Sequence, residues 1–146
     1  MAGAINIQIK GASEIIVKLQ NVKNLGKLKP AMNKCLAIVE ASAKTLCPVD
    51  SGALRSSIHV RPAKLTGKQL EGVVYTSKEY AMYVEFGTGK RGKGSFPYAL
   101  DGALSYDSEW AGQIAQPYMT PALLNNRQAI EFILTNAVLD LAKGGK

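Results

Sequence analysis

The residues able to do chemistry in this 146-residue sequence are few: Cys35, Cys47, a single histidine, His59, Ser51 and eleven carboxylates. Catalysis needs acids, bases or nucleophiles held within hydrogen-bonding reach of one another. Cys47 and His59 could be imagined as a thiolate pair, but a helix end and a distant strand position have no reason to converge, and no third residue is placed to orient them. One histidine and two cysteines do not make a zinc-ligand set. The cysteines lie in one helical pattern about 18 Å apart, too far for a disulfide. The carboxylates form no paired motif, and Ser51 is not in a nucleophile elbow. Gly89-Lys90-Arg91-Gly92-Lys93-Gly94 is glycine-rich and basic like a phosphate loop. No strand runs into it in the right frame and no Lys-Ser/Thr pair opens a helix after it, so it reads as a mobile loop. No enzymatic activity, metal or cofactor is expected.

The charge is +7 and uneven, with ten Lys/Arg against three Asp/Glu in residues 1–64 and eight of each in residues 65–146. A basic half suits nucleic acid or an acidic partner surface, and Lys10, Lys18, Lys23, Lys27 and Lys29 are its candidate DNA-facing charges. They are well spread and all lysine, without the arginines favoured for bidentate phosphate contacts, so a solvated helix face explains them better than direct nucleic-acid binding. Apolar residues at 47% and charged residues at 20% fit a folded chain of one domain, residues 1–146. No apolar run is long enough to cross a bilayer, and no basic-then-apolar leader follows Met1, which points to a cytoplasm.

These residues need elements to position them. Ala4–Lys10 alternates, with Ile5, Ile7 and Ile9 on one face, and predicts a strand. Ile15, Ile16, Leu19 and Val22 fall at helical spacing and predict a short helix opened by Ala12 or Ser13. Pro30 suits the first turn of a longer helix whose stripe is Met32, Cys35, Leu36, Val39, Ala43 and Leu46. Pro48 then stops the helix, and Asp50-Ser51-Gly52 has turn chemistry, with Asp50 or Ser51 able to cap a helical turn through Arg55. Ser57–Arg61 and Leu70–Thr76 predict an antiparallel pair around Gly67, with Pro62 marking an edge strand. Tyr80–Gly87 suits a short helix ended by Gly87 better than a strand.

Residues 89–115 form a long insertion or arm weighted with Phe96, Tyr98, Tyr106 and Trp110. Those aromatics either dock a partner or fold the arm back on the domain. Gln116–Met119 reads as extended and able to add an edge strand. Thr120 reads as an N-cap and Pro121 as the first helical residue of a helix to about Ala142. Its stripe is Leu123, Ile130, Leu134, Ala137, Val138 and Leu141. Arg55 and Glu85 are either an ion pair joining two segments or a subunit boundary, or two exposed charges. The fold class is α+β: an antiparallel sheet of three to four strands against a long helix in the N-terminal half and a long C-terminal helix.

Three runs together carry a resemblance: Pro48-Val49-Asp50-Ser51-Gly52-Ala53-Leu54-Arg55-Ser56-Ser57-Ile58, then Tyr80-Ala81-Met82-Tyr83-Val84-Glu85-Phe86-Gly87-Thr88, then Gln116-Pro117-Tyr118-Met119-Thr120-Pro121-Ala122-Leu123. The pattern resembles the neck and tail-completion proteins of long-tailed bacteriophages, the family named after gene product ten of phage HK-ninety-seven. Ser51 stands where the family commonly has Thr, Tyr118 where it often has Phe, and the 89–115 arm is longer than the family pattern. The resemblance implies a structural, non-enzymatic subunit of the head–tail junction. It would form a ring, six-fold favoured over twelve-fold, between head-closure or adaptor proteins and the tail terminator or tail tube. The ring would be assembled in the bacterial cytoplasm, end in the virion, touch no membrane and meet DNA only transiently. Pro48, Asp50, Ser51, Gly52, Leu54, Arg55 and Ser57 would set a corner with Glu85, Phe86, Gly87, Thr88, Pro117, Met119 and Pro121. Lys90, Arg91, Lys93, Phe96, Tyr98, Tyr106 and Trp110 would be the arm's subunit or partner contacts. The alternative is a basic cytoplasmic nucleic-acid-binding module.

Overall fold

Alternation decides the first half of the sheet. In the computed structural model, which describes residues 4–10, 13–20, 22–49, 52–98 and 105–143, Ala4–Lys10 is strand β1 and Glu14–Gln20 is strand β2. The helix expected over the second segment is therefore a strand. Ile15, Val17 and Leu19 are fully buried, while Glu14, Ile16 and Lys18 alternate to the other face. The run fits both periods over so short a window, and its β-branched Ile15-Ile16-Val17 core favours the pleated form. β1 pairs antiparallel with β2 from Ala4 opposite Gln20 to Lys10 opposite Glu14.

A 3-10 turn, Leu25–Leu28, leads into α1, Lys29–Leu46, with Pro30 in its first turn. Met32, Cys35, Leu36, Val39 and Ala43 are completely buried, as the stripe requires, whereas Leu46 is exposed and Cys47 at the helix end takes the buried position. After the corner and a four-residue helix, α2 (Ala53–Ser56), strands β3 (Ile58–Thr66) and β4 (Gln69–Thr76) form a hairpin. β4 also pairs antiparallel with β2, giving the order β1-β2-β4-β3. Pro62 sits on edge strand β3, in the register shift between Arg61 and Lys64, where no ladder hydrogen bond is lost. α3 (Ala81–Phe86) and α4 (Gly89–Gly92) follow, and α5 runs from Met119 to Ala142.

α1 lies over β3 and β4, α5 over β1 and β2, and the two helices pack side by side on one face of the sheet. Leu36 of α1 sits over Gly72 of β4, where any β-carbon would collide with its side chain. The other face is polar: Lys18 pairs with Glu71 at 3.7 Å, Arg61 with Glu14 at 2.9 Å, and the Arg61 guanidinium lies over the Tyr75 ring. Each helix also reaches a sheet edge. Asn33 Oδ1 accepts the Ala63 N–H of β3 at 2.7 Å, and Arg127 donates to the Ile7 carbonyl of β1 at 3.1 Å. Exposed edge groups are thereby occupied, which discourages indiscriminate strand pairing. No helix among the described residues is long and apolar enough to cross a membrane.

Candidate functional site

The corner, α3, the arm and the start of α5 converge at one end of the molecule. Asp50 and Ser51 lie outside the described residues. Gly52, at φ +82°, turns the chain into α2, which buries Leu54 and leaves Arg55 exposed. The buried Ser57 hydroxyl donates to the Leu54 carbonyl and meets the Thr76 hydroxyl, each at 2.6 Å. These contacts tie the corner to the last residue of β4.

Glu85 is the centre of the arrangement. It is fully buried and accepts three backbone N–H groups: Tyr118 at 3.0 Å and Met119 at 2.9 Å on Oε1, Thr120 at 2.9 Å on Oε2. A helix start leaves its first N–H groups without intrahelical partners and carries a partial positive charge, so a carboxylate there is doubly favoured. α5 thus has a cap supplied from α3, and Thr120, expected as N-cap, lies inside the helix with Pro121 beyond it. No ion pair joins Arg55 to Glu85 among the described residues. Both charges instead act on Cys47: burial pushes its thiol up, the Arg55 guanidinium lowers it, and the Glu85 carboxylate raises it. Tyr118 is fully buried, and its hydroxyl has no hydrogen-bond partner among the described residues. Burial first, then Glu85, Cys47 and Tyr80, push its phenol above the ordinary range.

The arm is built, contrary to the mobile loop expected at residues 89–94. Thr88 and Gln113 exchange backbone bonds of 2.8 and 2.9 Å, the Lys90 and Arg91 N–H groups donate to the Trp110 and Ala111 carbonyls, and Gln116 N–H donates to Val84. The glycines serve close approach: a β-carbon at Gly87, which has φ +81°, would meet backbone of Gln113 and Ala115 within 3 Å. Gln116–Met119 adds no strand to the sheet; an isolated bridge between Thr88 and Gln113 is the β-pairing seen here. The aromatics fold the arm back. Phe96 packs edge-on against Phe86 and Tyr98, and the Tyr106 hydroxyl donates to the Phe86 carbonyl at 2.9 Å. Trp110, Lys90, Arg91 and Lys93 stay exposed, while Met119 and Pro121 are buried.

Pro48, Gly52, Leu54, Tyr80, Val84, Arg91 and Ile114 line a cleft of about 800 Å³ beside this knot. Across α3, Tyr83, Tyr106 and Trp110 line a second hollow, and Gln113 borders both. His59 is exposed on the polar sheet face, away from the helical layer that holds Cys47, so the thiolate pair does not form. No group of three or more His, Cys, Asp and Glu among the described residues is placed to hold a metal. The candidate DNA-facing lysines are divided. Lys18 sits on the polar sheet face beside Glu71, and Lys23, Lys27 and Lys29 are exposed around the 3-10 turn, Lys23 sharing a groove with Lys68. The Lys10 side chain is outside the described residues.

The family comparison matches residues 13–87, just over half the chain, to the model described as "Bacteriophage HK97-gp10, putative tail-component". The chain belongs to this family. The HK97-gp10-like match starts just before β2 and ends at Gly87, so it includes the corner and the helix that bears Glu85, while the arm and α5 lie beyond it. No curated protein and no solved structure matched the chain. The role of Glu85 escaped the sequence reading because its partners are more than thirty residues downstream. The available signal was a lone carboxylate in an apolar aromatic run; the Thr120-Pro121 pair masked the missing cap by offering a local one.

Proposed function

We propose that this HK97-gp10-like chain is a structural subunit of the head–tail junction of a long-tailed bacteriophage. It assembles as a ring, with six copies favoured over twelve, between head-closure or adaptor proteins and the tail terminator or tail tube. The carrying observation is the family match over the corner and α3, read with the use to which those residues are put. Gly52, Ser57 and Glu85 spend their polar groups on shaping and locking backbone. That chemistry builds a rigid part. The folded arm and the polar sheet face give such a part several distinct surfaces for neighbours above, below and beside it.

The lysines around the 3-10 turn would face the passing genome. Scattered, exposed lysines supply weak, salt-sensitive attraction to phosphate, sufficient for a lumen and too loose to obstruct ejection. The decisive experiment is electron microscopy and mass measurement of the purified protein, alone and with its neighbouring tail and head-closure proteins. A ring with a DNA-wide lumen is expected. A strict monomer under both conditions would remove the proposal. Salt-resistant, high-affinity DNA binding by that monomer would favour the nucleic-acid-binding alternative.

A further inference from the structure

Two surfaces among the described residues leave large apolar side chains uncovered in complementary shapes. One is convex. α5 carries three charged residues in 24, Arg127, Glu131 and Asp140, and its outward face presents Leu124, Phe132 and Leu139. Their spacings of eight and seven residues place them within about 80° of one another around the helix, on average about 130° from the buried Leu123, Ile130, Leu134 and Val138. Phe132 is 70% exposed, the most of any large apolar side chain in the described residues. The ridge is about 22 Å long at 1.5 Å per residue. The other surface is concave: the cleft between the corner, α3 and the arm, with Tyr80 and Ile114 exposed at its rim. Isolated surface leucines need no explanation, but a ridge and a hollow of this kind on one small protein do.

We propose that the α5 ridge of one copy docks in the corner–arm cleft of the next copy, making a heterologous, head-to-tail contact. The occupant follows from complementarity. A helix presenting large side chains two turns apart is the shape that enters a groove with apolar walls; Leu54, Tyr80, Val84 and Ile114 supply such walls here, beside the polar Arg91, Gln113 and Gln116, and the cleft's volume is of the size that encloses several such groups. The charges agree: Arg91 lines the cleft, Glu131 flanks the ridge, both are exposed, and neither has an ion-pair partner among the described residues. The two surfaces do not overlap, because the cleft abuts the segment that leads into α5 and the ridge begins beyond the first turn of that helix. One copy can therefore serve as donor and acceptor together, the requirement for a repeating contact that closes into a ring or runs on as a filament. The inference rests on the ring reading only for closure.

Two substitutions at exposed positions separate the surfaces. Phe132→Glu removes the ridge and leaves the cleft, while Ile114→Glu removes the cleft and leaves the ridge. Both should melt where the unassembled wild type melts. By sedimentation velocity the wild type should assemble and each variant alone should be monomeric. An equimolar mixture of the variants should give a dimer and stop there, since only one intact ridge–cleft pair exists in it. Arg91→Glu should weaken assembly about tenfold, and mixing with or adding Glu131→Arg should restore it. Assembly by Ile114→Glu but not by Phe132→Glu would mean isologous ridge-to-ridge pairing and overturn the proposal. Rings formed by both single variants would overturn it too, while leaving the ring reading intact. A wild type that stays monomeric at about 100 µM, where a contact of moderate affinity would be populated, also overturns it.

Discussion

α1 and α5 lie side by side on the same face of the same sheet, yet they are finished differently. α1 buries a narrow stripe and turns charge outward, with Glu40 and Lys44 paired at 3.4 Å one turn apart. Its start follows a local turn with Pro30 in place, and its end is stopped by Cys47-Pro48. Everything α1 needs lies within or next to it. α5 needs others. Its first N–H groups are held by Glu85 from α3, and its outward side sets the exposed Leu124, Phe132 and Leu139 among polar residues. A helix whose start is fixed by a distant buried carboxylate is held in position independently of what covers its outer side. That is useful in an element that must present an exposed ridge without collapsing onto its own chain.

The largest test of this contrast is Glu85→Ala. It leaves three buried N–H groups without their acceptor, at about 1–3 kcal/mol for each unsatisfied group and less where water enters. A loss on the order of 3–5 kcal/mol, seen as a melting temperature lower by roughly 10–15 °C, is expected in thermal denaturation. Glu85→Gln should lie between, because its amide keeps one acceptor and turns donors toward donors. An equal loss from removing any side chain at the start of α1 would erase the distinction between the helices.

The seam between the helices gives the next effect. Cys35 of α1 is fully buried, its sulfur 3.9 Å from the Ile130 carbonyl of α5. Burial pushes its thiol up to about 11 from 9.0, against the lowering effect of Lys34. The folded pKa lies above the unfolded one, so this stability is complete below about pH 9 and is lost as pH rises through 11. The full loss is about 2–3 kcal/mol. Denaturant titrations from pH 7 to 11 should fall more steeply for the wild type than for Cys35→Ala. Parallel curves would show that the seam admits water. Gly52→Val tests the exit from α1. A β-carbon there meets nothing within 4 Å, so the cost is the positive φ alone, about 1–2 kcal/mol for a β-branched side chain. Urea titration measures it, and an unchanged midpoint would show that the corner relaxes freely.

The contrast also marks what could be read from residues alone. α1 was legible because its stripe repeats over about three turns, from Met32 to Ala43, and its boundaries are written beside it. α5's body was legible for the same reason, but its cap was not, since local pattern cannot show that a glutamate in one helix will meet a start thirty-odd residues later. β2 was misread because Ile15, Ile16, Leu19 and Val22 satisfy a helical period; pairing with β1 on one side and β4 on the other decides for the strand. The 89–94 segment reads as mobile from sequence because glycine signals freedom when seen alone. Here Gly87 and Gly112 let two backbone segments touch, a role visible only once residues 110–115 lie against 87–92.

The smallest effect on stability is also the one that separates the two helices most cleanly. Glu40→Ala on α1 removes a surface pair worth about 0.3–0.5 kcal/mol, and Phe132→Ser on α5 removes a side chain that the isolated chain hardly buries. In dilute solution the two variants should melt within about a degree or two of the wild type. Concentration breaks the symmetry. A contact that exists only in the folded state raises the melting temperature as protein is added. The wild type and Glu40→Ala should both show that rise, and Phe132→Ser should not. A rise of equal size in all three would mean that α5's outer face is as complete in the single chain as α1's, and that the apolar ridge has no role in holding copies together.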